Sequence, residues 1–195
     1  MRVPSVIDEA AAAALASRLA AKARVGNDRS AELAHTQLLG PGEDAALDQL
    51  VESVGPHVQA LGELIFGERL RWLVKEIWVN VLKADGRQSV HNHANSFVSG
   101  IVYLTPSHDS ARTVFMRGMG QPEFALRNTH AGVTSGKFNS EKWVAPAPAA
   151  GCLLLFPSWL LHEVPRNLGG NRVTLAFNAI PHQLDAWGYS LSLQP

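Results

Sequence analysis

The pattern of apolar and polar residues changes character at about residue 70. Upstream of that point, Ala and Leu are abundant, and both residues favour helices. Apolar positions at helical spacing predict helices over residues 7–24 and 43–66. We expect Pro56 to bend or split the second helix, because proline lacks a backbone N–H and clashes with the preceding turn. A further short helix is expected within residues 27–39.

Downstream of residue 70, short segments rich in Val, Ile, Leu and Phe are separated by Gly, Pro, Asn and Asp. This pattern is typical of an all-β sandwich or barrel. Strands and helices do not alternate, so a doubly wound parallel sheet is not expected. The Gly/Pro-rich residues 117–151 predict a long loop over the β scaffold. The candidate strands are WLVKEIWVNVLKA, SFVSGIVYLT, RTVFMRG, GCLLLFP and RVTLAFNAI.

Composition and charge narrow the class of protein. The chain has 195 residues, of which 46% are hydrophobic, enough for the core of one domain over residues 1–195. We expect a helical part at about 1–68 and a β core at about 69–195. The formal net charge is zero, which disfavours a nucleic-acid partner, and no apolar stretch approaches the roughly 20 residues of a membrane span. The single cysteine, Cys152, excludes an internal disulfide and favours a cytoplasmic location.

Three of the eight histidines are candidate metal ligands. In a strand, residues two apart point to the same side, so His91 and His93 can present two imidazoles to one point. Imidazole is a good ligand for iron, copper, zinc and nickel. The pair alone is more often structural than metal-binding, and it gains weight from His162, which follows a strand of buried type and could supply a third ligand.

A candidate anion site follows ten residues after His162. In the strand RVTLAFN, alternation places Arg172, Thr174, Ala176 and Asn178 on one side. If that side lines the barrel, the buried guanidinium needs a partner, because an unpaired buried charge is costly. The carboxylate of a small molecule fits this role through a bidentate hydrogen bond. The alternative is an arginine at the strand end that pairs with Asp or Glu.

Three further residues are weaker candidates for contact with a bound small molecule. Tyr103 shares a side of its strand with Ser99 and could donate a hydrogen bond to a carboxylate, or be a core tyrosine. Asn80 could face the same cavity, or be a polar residue at a strand edge. Asn178 shares the side of Arg172 and is a candidate for the same reason.

The order and spacing of these pieces resemble the Fe(II)/2-oxoglutarate-dependent oxygenases, and among them the small bacterial and phage-type members with a histidine-rich metal motif. The resembling pieces are WVN at 78–80, HNH at 91–93, SGIVYL at 99–104, GCLLLFPSWLLH at 151–162 and RVTLAFN at 172–178.

The resemblance implies an α+β, mainly β fold: a double-stranded β-helix, or jelly roll, with the N-terminal helices packed outside. It also implies Fe(II) bound by His91, His93 and His162, and 2-oxoglutarate bound by Arg172 with Thr174. The implied activity is a dioxygenase reaction that uses O2 to couple oxidative decarboxylation of 2-oxoglutarate to hydroxylation of a small-molecule substrate. Most of the superfamily has Asp or Glu at the position of His93, so this chain departs from the common ligand set.

Two other functions remain open at the level of sequence. A cupin-type metalloenzyme also combines a jelly roll with His-x-His and a distal His, but the usual glutamate after His-x-His is missing here and the distance from His93 to His162 is long. A jelly-roll module that binds a small molecule without catalysis would need no iron. The sequence leaves the oligomeric state open, with a homodimer as one option.

Overall fold

The computed structural model of the chain describes residues 1–27, 30–118 and 130–194. Two α-helices, α1 (Glu9–Ala20) and α2 (Ala45–Phe66), precede most of the strands within these ranges. The strands are β1 (Arg2–Val3), β2 (Val25–Gly26), β3 (Ser30–His35), β4 (Trp72–His91), β5 (Val98–Tyr103), β6 (Val114–Met116), β7 (Lys142–Val144), β8 (Leu153–Pro157), β9 (Leu161–Val164), β10 (Arg172–Pro181), β11 (Gln183–Ala186) and β12 (Tyr189–Ser192).

Ten of these strands form one curled antiparallel sheet in the order β1-β8-β5-β10-β4-β9-β6-β7, with β3 paired to β4 and β2 paired to β3. The long strand β4 pairs with β10 over residues 72–82 and with β9 at Gln88 and His91. Asp85, with φ of 63°, lies between the two parts. Strand β4 therefore belongs to both halves of the curled sheet. A separate hairpin, β11–β12, follows at the C-terminal end.

Alternation along the strands separates the outer face of the sheet from its inner face. On the outer face, Val173, Leu175 and Phe177 of β10 pack in one core with Leu15 of α1 and Val54 of α2. A second apolar cluster on the inner face includes Ile101, Phe115 and Phe156. The expected fold, a mainly β jelly roll with N-terminal helices outside it, is confirmed.

The helix expected within residues 27–39 is wrong, because this segment contains strand β3. Its backbone pairs with the edge of β4, where His35 lies opposite Asn80 and Leu33 opposite Leu82. The composition of the segment, Ser-Ala-Glu-Leu-Ala-His, favours a helix, but hydrogen bonds to an available strand edge outweigh a helix propensity of a few tenths of a kcal/mol per residue.

Pro56 does not split the second helix, since α2 is continuous through this residue; a bend at Pro56 stays a prediction. Gly55 precedes the proline, and a glycine has no Cβ to clash with the proline ring. Pro56 and Glu52 are both exposed, so water can reach the Glu52 carbonyl that the missing N–H leaves unpaired. The local sequence thus tolerates the proline.

The long loop predicted over residues 117–151 is observed in part. Residues 119–129 lie outside the described chain, and β7 interrupts the rest by pairing with β6. Residues 130–141 and 145–151 contain neither helix nor strand. Neither described α-helix is long and apolar enough to cross a membrane.

Candidate metal and carboxylate site

His91, His93 and His162 converge inside the curled sheet. His91 ends β4 and lies directly opposite His162 of β9, while His93 follows two residues after the end of β4. One ligand nitrogen from each of the three residues lies within 4.8 Å of the others, and the ring centroids of His93 and His162 are 5.1 Å apart. This arrangement brings together the three histidines that the sequence singled out.

The second ring nitrogen of each histidine is held by an oxygen. Nδ1 of His91 lies 2.8 Å from the Ser89 carbonyl, and Nδ1 of His162 lies 2.9 Å from the Leu160 carbonyl. Nδ1 of His93 lies 2.7 Å from Oδ1 of Asn178. Because a carbonyl oxygen can only accept, each Nδ1 donates its proton and each Nε2 carries a lone pair. The lone pair of His91 Nε2 accepts a hydrogen bond from the Gln88 amide at 3.2 Å, which a bound metal would displace. Three Nε2 lone pairs suit a transition metal.

Burial keeps the three imidazoles neutral. Loss of hydration lowers the pKa of His93 to about 4 and that of His162 to about 3, and their mutual repulsion with His91 adds to the effect. The pKa of His91 is also lowered by burial. Neutral imidazole is the form that binds a metal, so the site is in its ligand-competent protonation state at pH 7.

Cross-strand pairing places the predicted polar residues in rows on the inner face. Thr174 of β10 lies opposite Asn80 of β4 on one side and Tyr103 of β5 on the other. Two inward-facing rows further along, beyond Ala176, Asn178 lies opposite Glu76 and Ser99 in the same way. The parity that the sequence assigned to Arg172, Thr174 and Asn178 is therefore the parity in the structure.

Arg172 is a buried cation without a counter-charge among the described residues. Only 3% of the residue is exposed, and its Nε and Nη2 atoms have no hydrogen-bond partner in the described chain. Nη1 reaches Thr174 Oγ1 at 3.5 Å, and the guanidinium lies 5.0 Å from the centre of the Tyr103 ring. Because an unpaired buried charge is costly, this geometry points to an anionic ligand.

Two cavities connect these groups. The inner cavity is narrow, about 20 Å³, and the residues around it include the three histidines, Arg172 and Thr174. An outer pocket of about 460 Å³ shares His91 and His93 with it. A dicarboxylate in the inner cavity would need the lining side chains, the long Arg172 above all, to shift.

The three weaker candidates from the sequence, Asn80, Tyr103 and Asn178, also lie on the inner face of the sheet, but their surroundings differ from one another. Asn80 lines both cavities. The Tyr103 hydroxyl is hydrogen-bonded to Thr113 at 2.9 Å, and both polar atoms of the Asn178 amide have protein partners. Contact of these three residues with a cosubstrate stays a prediction.

Four other side chains around the outer pocket were not predicted from the sequence. These residues are His35, Glu76, Trp78 and Gln88. A signal existed for two of them, because Glu76 and Trp78 have the same parity along β4 as Asn80. His35 and Gln88 carry no comparable signal, since their positions depend on how β3 and the end of β4 pack.

Comparison with known families agrees with the site. A profile of the family described as "Putative 2OG-Fe(II) oxygenase" matches residues 76–178, just over half of the chain and the whole of the site. The chain belongs to this family of 2-oxoglutarate- and Fe(II)-dependent oxygenases, an oxidoreductase family whose members use Fe(II), 2-oxoglutarate and O2. A search of curated proteins gives no significant match.

Solved structures with the same fold include HygX, the epimerase SnoN and a prolyl-4-hydroxylase. HygX from Streptomyces hygroscopicus, solved with nickel and 2-oxoglutarate bound, is 15% identical with a TM-score of 0.65, and the match covers 93% of this chain and 82% of HygX. The epimerase SnoN from nogalamycin biosynthesis is 16% identical with a TM-score of 0.65, covering 94% and 78%. A prolyl-4-hydroxylase from Pseudomonas putida is 18% identical with a TM-score of 0.57, covering 91% of each chain. At these identities the likeness concerns the fold.

Proposed function

We propose that this protein is an Fe(II)- and 2-oxoglutarate-dependent dioxygenase that hydroxylates a small molecule. The observation that carries the proposal is the inner cavity, which has three convergent neutral imidazoles and a buried, unpartnered guanidinium on its wall. Bound Fe(II) and 2-oxoglutarate would supply the oxidation of the substrate by O2, with succinate and CO2 formed from 2-oxoglutarate.

His91, His93 and His162 are the proposed metal ligands, through Nε2. Three ligands from one side of an ion leave the opposite side open to a cosubstrate and to O2. The hydrogen bonds of the Nδ1 atoms fix the orientation of each ring. The site is therefore organised in the folded chain before any ion binds.

Arg172 and Thr174 are the proposed binding residues for the far carboxylate of 2-oxoglutarate. The free Nε and Nη2 of Arg172 can donate two parallel hydrogen bonds to a carboxylate, and the Thr174 hydroxyl can donate a third. Tyr103 lies against the guanidinium and holds it in place. Asn80, which lies opposite Thr174 and lines both cavities, is the proposed contact for the other end of the cosubstrate.

The outer pocket is the proposed substrate site, because it shares His91 and His93 with the inner cavity. Its volume of about 460 Å³ lies within the range of small-molecule sites. HygX, which has the same fold, has also been solved with hygromycin B bound, and this supports a small-molecule substrate.

Succinate release tests the proposal. Protein loaded with Fe(II) under anaerobic conditions should convert 2-oxoglutarate to succinate after O2 is admitted, even without substrate, because uncoupled turnover is common in such enzymes. A library of small molecules should then raise the rate when one of them is a substrate.

The His162→Ala variant should abolish succinate release, whereas His130→Ala, which removes an exposed histidine outside the site, should not. A wild-type protein that binds neither Fe(II) nor 2-oxoglutarate would contradict the proposal and favour a metal-free binding module. Iron binding without any affinity for 2-oxoglutarate would favour a cupin-type enzyme.

A further inference from the structure

His93 differs from the other two histidines in what holds its Nδ1. Backbone carbonyls hold the rings of His91 and His162. His93 is held by the side-chain amide of Asn178 at 2.7 Å, and the other end of that amide, Nδ2, lies 2.6 Å from the Glu76 carboxylate. A continuous hydrogen-bonded path thus joins Glu76 to His93.

The direction of every hydrogen bond in this path follows from chemistry. Glu76 is ionised, because hydrogen bonds from Asn178 and Lys75 outweigh its partial burial and lower its pKa, and a carboxylate only accepts. Asn178 must therefore turn its NH2 group to Glu76 and its Oδ1 to His93. Nδ1 of His93 must then donate, which leaves the lone pair on Nε2.

A chain of serines is compatible with this orientation of Asn178. The Ser99 hydroxyl donates to Asn178 Oδ1 at 2.8 Å, and Ser158 and Ser96 continue the chain at 2.9 and 2.8 Å. Because Ser99 has one proton and gives it to Asn178, the proton in the next bond belongs to Ser158. Ser99, Asn178 and Glu76 form one cross-strand row over β5, β10 and β4, so the backbone pairing positions these three side chains.

We propose that Asn178 and Glu76 are positioning residues that fix His93 as the Nδ1–H tautomer and transmit carboxylate charge to it, so that it binds a divalent metal more tightly. The inference deepens the proposed function, on which its biological meaning rests. Three neutral imidazoles do not compensate the charge of a divalent ion. Among the described residues that line the two cavities, Glu76 is the one carboxylate, and it polarises the imidazole through the amide.

The first test reads the tautomer in metal-free protein. Long-range 15N–1H correlation spectra of 15N-histidine-labelled protein at pH 7.5 should show His93 protonated on Nδ1 in the wild type. Asn178→Ala removes the acceptor and should give a mixture of tautomers for His93, while His91 and His162 keep theirs. An unchanged His93 tautomer in Asn178→Ala would overturn the role of the amide.

The second test separates charge from shape by moving the carboxylate. Co(II) affinity is measured by competition with a chelator. Glu76→Gln keeps the hydrogen bond from Asn178 but removes the charge, and we expect the affinity to fall about 10-fold, at the lower end of the usual effect of residues behind a metal ligand. The double variant Glu76→Gln/Asn178→Asp places a carboxylate directly on Nδ1 of His93, and its affinity should return to the wild-type value or above.

Glu163→Gln is the matched control, because Glu163 is adjacent to His162 in sequence but pairs with Lys142 at 2.9 Å. This variant makes the same charge change and should bind Co(II) like the wild type. Equal losses in Glu76→Gln and Glu163→Gln, or no recovery in the double variant, would overturn the proposal. Neither test requires turnover. If the His93 tautomer and the Co(II) affinities change as expected but the protein releases no succinate, only the proposed function is contradicted.

Discussion

Arg172 can be tested separately from the metal ligands, because its two unpartnered nitrogens lie at the far side of the inner cavity. Arg172→Ala should weaken 2-oxoglutarate binding to the Co(II)-loaded protein by a factor of roughly 30 or more, since truncation of one partner of a buried charge pair costs about 2–5 kcal/mol. Arg172→Lys should also bind weakly, because an ammonium group cannot reproduce the bidentate geometry. Calorimetric titration measures both affinities.

Arg166→Ala is the control for the loss of an arginine from the same region. Arg166 precedes β10 and forms an exposed ion pair with Asp85 at 2.8 Å, so its removal should leave 2-oxoglutarate affinity unchanged. Co(II) affinity should be nearly equal in all these proteins. A similar 2-oxoglutarate affinity in Arg172→Ala and the wild type would exclude Arg172 as the carboxylate-binding residue.

The residues on the inner face of β10 could be predicted from the sequence, because the alternation of side chains along a strand is a local property. Once RVTLAFN is recognised as a strand, Arg172, Thr174 and Asn178 must share a side. The contacts of Asn178 with Glu76 and Ser99 could not be read in this way, since they depend on the register between three strands that are far apart in sequence. The same register decides that Tyr103 lies against Arg172.

At the level of whole elements, the two differences from the sequence-based expectation have different causes. Strand β3 depends on a free edge of β4, which a local pattern does not contain. The continuity of α2 through Pro56 follows from a local feature, the glycine that precedes the proline. By contrast, α1 and most strands of the β core were predictable, because their burial follows the period of their own sequence.

Pro56 should cost stability, because it occupies the middle of a continuous helix. Proline in a helix interior removes one hydrogen bond and crowds the preceding turn, at a cost of about 3 kcal/mol, of which Gly55 relieves a part. Pro56→Ala should therefore raise the free energy of unfolding in urea by about 1–3 kcal/mol.

Pro41→Ala is the matched control, because Pro41 lies in the exposed turn before α2. There the substitution only gives the unfolded chain more freedom, so it should lower the free energy of unfolding by about 1 kcal/mol or less. A Pro56→Ala variant that is no more stable than the wild type would show that the proline causes no strain in α2.

On the scale of the whole molecule, the curled sheet joins a stabilising face to a functional face. The outer face packs on α1 and α2, whereas the inner face buries His162, Arg172 and Asn178, polar groups that add little to a hydrophobic core. Burial of neutral imidazoles couples the stability of the fold to pH, because the unfolded chain can protonate groups that the folded chain cannot.

The metal-free protein should lose stability as the pH falls below about 6.5, the ordinary pKa of histidine. In the folded chain the pKa of His93 is lowered to about 4 and that of His162 to about 3, so between pH 6.5 and 4 the unfolded state binds more protons than the folded state. The free energy of unfolding must then rise with pH in this window. Urea denaturation at half-unit steps from pH 7.5 to pH 4.5 measures the slope.

The His162→Phe variant distinguishes the contribution of the site histidines to this pH dependence from the contribution of other titrating groups. The phenyl ring has a similar shape and would lie among Phe115 and Phe156, so the slope between pH 6.5 and 4.5 should become shallower by the contribution of one proton. His130→Gln, which removes an exposed imidazole, should keep the wild-type slope. Saturating Co(II) should raise stability at pH 7.5 and do so less at pH 5.5, because protons compete with the metal for the same nitrogens. A His162→Phe slope equal to that of the wild type would mean that the imidazole of His162 is not buried in its neutral form.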